Sequence, residues 1–208
     1  MNNYKMKREG SRFTIDQVNK QVRNWEEIAS EKFGKFELRK RVFSDKGLLE
    51  QITNYERQDV MYNSLLFLDV HIPYGRNNIK VSTSEVKTPI FSYPLITNNQ
   101  FNFSIRCEDY FDKISKVFGQ KELQINDKEF DDKFFIETNE SKLLNSFLDH
   151  KIRSWLEQLK IAYFDFNTIK SKNALSIYFV INEMDKQEIE EAINMFKYCI
   201  DRLKNVKL

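Results

Sequence analysis

The sequence predicts an α+β fold, an antiparallel or mixed sheet with helices packed mainly on one face. Three observations carry this expectation. Strict period-two alternation at Phe101, Phe103 and Ile105 marks a strand. The central third of the chain is a cluster of such segments separated by turn residues. Both ends carry apolar residues at three- and four-residue steps, the spacing of helices with one buried face.

Residues 1–12 are polar and basic and read as a flexible leader, and residues 13–208 as a single domain. Thr14-Ile15-Asp16-Gln17 fits the capping box that opens a helix. Ile15, Val18, Val22, Trp25, Ile28, Ala29 and Phe33 form its apolar stripe, and Gly34 is placed to end it in a left-handed turn. Phe36, Leu38 and Val42 share one face of a strand. Residues 45–58 suggest a short helix. The apolar run 65–72 reads as a strand, and Tyr74-Gly75-Arg76-Asn77-Asn78 as a turn before Ile79-Lys80-Val81. Pro89 and Pro94 make residues 86–96 an edge strand or irregular loop, because proline donates no ladder hydrogen bond.

The later part alternates strands with helices. Residues 108–118 read as a helix stopped at Gly119, and Phe130, Phe134 and Ile136 as a strand. Asn139 is the expected cap of a helix through Leu148, and Asp149 of one through Leu159. Residues 161–166 and 174–181 are strand-like. Asp185 caps a final helix with Ile189, Ile193, Phe196, Ile200 and Leu203 on one stripe.

Composition narrows the function classes. Of 208 residues, 18 are Phe and nine Tyr, enough aromatic bulk for a core in a chain of 41% hydrophobic residues. The net charge of +2 gives no whole-chain attraction to polyanions. It is uneven, with 12 basic and 7 acidic residues in the first 48. No 18-residue apolar run or signal-peptide core occurs, so no membrane association and a cytoplasmic location are expected. Cys107 and Cys199 both lie in apolar patterns, the setting of buried free thiols.

Three stretches resemble a widespread family of uncharacterised bacterial proteins, a domain of unknown function. The first is Trp25-Glu26-Glu27-Ile28-Ala29 followed by Gly34, similar to a Trp-x-x-Leu-Ala helix. The second is the Gly75-Arg76 turn leading into Ile79 and Val81. The third runs from Phe111 to Gly119, then Leu123 to Asp127, then Glu129 to Ile136, with Leu143-Leu144 and the helix to Leu159 behind it. His71 and Asn126 stand where the family pattern has glycine. The resemblance covers roughly residues 24–200; it implies a fold and no activity, cofactor or catalytic residue.

No catalytic, cofactor or metal residue is singled out. Five glycines leave no phosphate-cradling loop. The run from Asp127 to Asp132 lacks the order of a calcium loop, and reads as a turn at Asn126-Asp127 with Asp131 and Asp132 starting a strand. His71 reads as a half-buried strand residue and His150 as a surface one. The leading expectation is a non-enzymatic module that binds a protein partner or itself. Its candidate contacts are Tyr74, Phe91 and Tyr93, aromatics near prolines in the least regular section. The first alternative is a nucleic-acid-associated protein with Arg39, Lys40 and Arg41 as phosphate contacts. The second is an enzyme whose site is dispersed through the chain.

Overall fold

The computed structural model describes residues 15–42, 50–52, 64–84, 87–95, 101–107, 124–125, 127–159, 161–167, 174–179 and 184–205. The fold is α+β. The chain divides into two compact units, residues 1–91 with 181–190, and residues 92–180 with 191–208. The sequence suggested a single domain over 13–208 because no linker interrupts it. Each unit is assembled from two separate stretches, and the boundaries at 91–92 and 190–191 fall inside a strand (Lys87–Pro94) and a helix (Lys186–Asn205) rather than in a linker.

In the first unit, α1 (Ile15–Glu31) buries Val18, Val22, Trp25, Ile28 and Ala29, five residues of the seven-residue stripe expected from the sequence. The strands are β1 (Lys35–Val42), β2 (Glu50–Ile52), β3 (Ser64–Tyr74) and β4 (Asn77–Ser84), paired antiparallel in the order β2-β1-β3-β4. Residues 50–52 are therefore strand, not part of the short helix suggested over 45–58, the rest of which lies outside the described residues. Cross-strand pairing of Leu38 with Ile52 overrides the local preference. The β3–β4 hairpin closes on Gly75-Arg76, with Gly75 at φ 60, as a two-residue turn with glycine first requires. Leu66, Leu68, Val70, Ile72, Ile79 and Val81 are buried. Burying one such side chain is worth about 1.5–3 kcal/mol, so this row decides which face of the sheet turns inward. The segment with two prolines is a strand, β5 (Lys87–Pro94).

In the second unit, β6 (Phe103–Cys107) pairs antiparallel with β7 (Phe134–Thr138) on one side and β8 (Ile161–Asn167) on the other. β9 (Ala174–Phe179) follows β8. Its core is aromatic. Phe103 lies 5.2 Å from Phe164 edge-on and 5.3 Å from Phe147, separations at which ring quadrupoles attract. Phe130 lies in a one-turn helix, α2 (Lys128–Asp131), rather than in the strand proposed for it, and stacks on Phe134 at 4.5 Å. The other helices are α3 (Ser141–Phe147), α4 (His150–Gln158) and α5 (Lys186–Asn205).

Two caps match the sequence and one does not. Asp149 Oδ1 accepts from the Ile152 amide at 3.0 Å. Asp185 Oδ1 accepts from the Glu188 amide at 2.8 Å, while Glu188 accepts from the Asp185 amide at 2.9 Å, a reciprocal box. Asn139 does not cap α3. Its side chain accepts instead from the Asn102 amide at 2.7 Å, because that donor sits directly across the end of the β6–β7 pair. The leader 1–12, the Thr14 cap and the helix suggested at 108–118 lie outside the described residues. No helix among the described residues is long and apolar enough to cross a membrane.

Candidate functional site at the α1–β1 corner

The corner between α1 and β1 departs from what its sequence suggests. Phe33 is spaced to join the apolar stripe of α1, four residues after Ala29. It lies outside instead, 91% exposed, the one exposed large hydrophobic residue among those described. Hydrogen bonding explains this. The Phe33 amide donates to the Ser30 carbonyl at 3.1 Å, and the Gly34 amide to the Ala29 carbonyl at 2.7 Å. This nested pair ends the helix in a Schellman turn, with Phe33 in the left-handed position at φ 53.

Glycine is the usual residue at that position, and here it comes one place later. The sequence predicts the left-handed role for Gly34, but Gly34 is needed for space. A Cβ on Gly34 would come within 2.5 Å of the His71 carbonyl oxygen. The strand after the turn runs hard against β3, only glycine fits at the point of contact, and the left-handed conformation falls to Phe33.

Beyond the turn, Lys35 pairs in register with His71, which pairs with Lys80. The next row is Glu37, Asp69 and Ser82. Phe33, Lys35, Glu37, His71 and Asn78 border an open depression of about 410 Å³. Lys35 Nζ lies 2.6 Å from Glu37 Oε1. That bond holds the Glu37 carboxyl below its usual range. Burial pushes the pKa of His71 down, with Glu37 opposing and Lys80 and Lys35 adding to the shift. Asp69, almost fully buried, pairs with Arg39, accepts from Ser82 Oγ at 2.5 Å and lies 3.7 Å from Lys80.

The sequence-derived contacts are not brought together here. Phe91 is fully buried, its ring 6.1 Å from Trp25. Tyr93 is 2% exposed, with Lys204 Nζ 5.4 Å above its ring. The aromatics chosen as loop contacts are core residues of a strand, because the two prolines did not prevent pairing. Tyr74 is half-buried at the end of β3. Arg39, Lys40 and Arg41 do not form one patch. Pleating puts Lys40 on the opposite face of β1, Arg39 is engaged by Asp69, and Arg41 alone is exposed.

Other groups serve structure. Asp127 caps α2 and accepts from Arg153 at 2.6 Å, and Asp131 accepts from the Ile125 amide at 3.1 Å. The acidic run thus organises a helical turn, and Asp131 and Asp132 do not start a strand. Among the described residues no three His, Cys, Asp or Glu side chains are grouped to hold a metal. His71 is half-buried and His150 exposed, as expected. Cys107 is exposed rather than buried, since it stands at the end of β6, while Cys199 is buried. A second recess of about 380 Å³ lies over Ser104, which stands between Glu137 and Asp165 and contacts Glu137 at 3.2 Å.

A Phe-Gly pair at the end of an amphipathic helix was the available signal for the corner. It was missed because periodicity alone continues the stripe through position 33. No family model, no curated protein and no solved structure matches this chain, so the resemblance to the uncharacterised bacterial family rests on the residues that suggested it.

Proposed function

We propose that the protein is a non-enzymatic interaction module that docks a protein partner, or a second copy of itself, through the corner built around Phe33. The observation that carries this reading is the state of Phe33, with a ring 91% exposed on a backbone at φ 53. A side-chain-bearing residue costs about 1–2 kcal/mol in that conformation, and the exposed ring returns almost no burial to offset it. Strain held at an exposed apolar group favours a role outside the monomer. Large aromatic anchors are the residues from which protein interfaces draw most of their energy.

The test places a photoreactive benzophenone side chain at position 33 of the full chain in its native cells. A control carries it at Lys142, an exposed position on α3. A discrete adduct is expected at position 33 and not at Lys142. Excess wild-type protein should compete it away and the Phe33→Ala variant should not. Equal labelling at both positions, or none at 33, overturns the reading. An adduct of twice the chain mass from purified protein would identify the second copy as the partner.

A further inference from the structure

Resting on the reading of the Phe33 corner as a docking point, we infer that its occupant is an acidic protein segment carrying an apolar side chain. Charge complementarity points to this occupant. Lys35 and Lys80 share one row of the sheet with His71 between them, about 10 Å apart across two strand spacings. Their side chains are 69% and 46% exposed. The carboxylates of the neighbouring row are withdrawn, Glu37 to 24% and Asp69 to 6%. Asp69 is turned into the sheet by Arg39 and Ser82. Burial holds His71 in its neutral form at pH 7.

Counted by formal charge, the two rows are balanced, with Glu37 and Asp69 against Lys35 and Lys80, and Arg39 in the row beyond adds one positive charge. Counted by what solvent meets, they are cationic. The field of the two lysines acts over about 8 Å at physiological ionic strength, which covers the depression beside the Phe33 ring. A partner that satisfies both features brings carboxylates to the lysine row and an apolar side chain to Phe33. A single aromatic and two lysines match a few residues of peptide better than the longer cationic groove and repeated stacking platforms of single-stranded nucleic acid.

The test pans phage-displayed random dodecapeptides against the full chain and, in parallel, against its Phe33→Ala variant. Peptides enriched only by the wild type are sequenced, and a synthetic consensus is titrated by fluorescence anisotropy at low and high salt. The Phe33-dependent pool is expected to be rich in Asp and Glu around an aromatic or aliphatic residue. Binding should weaken about tenfold in the Lys35→Glu, Lys80→Glu double variant and on raising salt, as for two exposed ion pairs reversed in sign. A Phe33-dependent pool with no acidic enrichment overturns this inference and leaves the docking reading standing. Absence of any Phe33-dependent pool overturns both. A concentration-dependent dimer abolished by Phe33→Ala, or Phe33-dependent binding of labelled oligothymidine tighter than any peptide, replaces the acidic segment with a second copy or with nucleic acid.

Discussion

Replacing Phe33 with glycine is expected to stabilise the protein while removing its most prominent surface group. At φ 53 the Cβ of Phe33 costs about 1–2 kcal/mol. Glycine removes that cost but adds freedom to the unfolded chain, a loss of about 0.5–1 kcal/mol. The ring is 91% exposed, so little burial is forfeited. The balance is a gain of about 0.5–1 kcal/mol. With a urea m-value of about 2 kcal/mol/M, the midpoint rises by roughly 0.3–0.5 M. Phe33→Ala, which keeps the Cβ, should move the midpoint by less than that. Gly34→Ala is the opposing control. Its new Cβ would meet the His71 carbonyl at 2.5 Å, a backbone atom that cannot swing aside, and overpacking of this kind costs about 1–3 kcal/mol. Equilibrium urea unfolding followed by tryptophan fluorescence reads all three variants. A Phe33→Gly protein less stable than wild type by more than about 1 kcal/mol would show that the ring is packed in solution, and both the strain argument and the docking reading would fall with it.

Asp149 and the cysteines give two further tests. Burial pushes the Asp149 carboxyl up, but the Tyr198 hydroxyl at 2.6 Å, the Ile152 amide and the Arg202 charge together hold it below its ordinary 3.8. Its folded pKa is depressed, so its stabilisation is complete above the unfolded value and is lost as pH falls through the folded one. Tyr198→Phe should cost about 1.5–3 kcal/mol at neutral pH, as for a hydrogen bond to a charged group, and less at a pH well below the ordinary 3.8 of the Asp149 carboxyl; urea midpoints that shift equally in both conditions would refute the linkage. Iodoacetamide followed by mass spectrometry should label Cys107 in the native protein, faster as pH rises, because burial raises its thiol above the ordinary 9.0. Cys199, fully buried and pushed far higher, should react only on unfolding; native labelling of Cys199 at the rate of Cys107 would show that the α5 core opens readily.

What the sequence alone determined, among the described residues, was a set of elements whose signal is local and repeated. The stripe of α1 from Val18 to Ala29, the apolar run of β3, the alternation in β4 and β6, and the caps at Asp149 and Asp185 all follow from side-chain pattern and from carboxylates next to free amides. The tertiary structure decided positions where a distant backbone competes with a local preference. Residues 50–52 became strand because β1 offered a ladder, and Asn139 left its helix because the Asn102 amide lay across the strand pair. Phe91 and Tyr93 went inward because strand pairing tolerated the prolines beside them. The candidate site belongs to this second group. The approach of β3 to Gly34 forces glycine one place past the left-handed position, and Phe33, apolar by composition and helical by period, is left in solvent. No one-dimensional pattern contains that close contact, because its two sides, Gly34 and His71, are 37 residues apart in the chain.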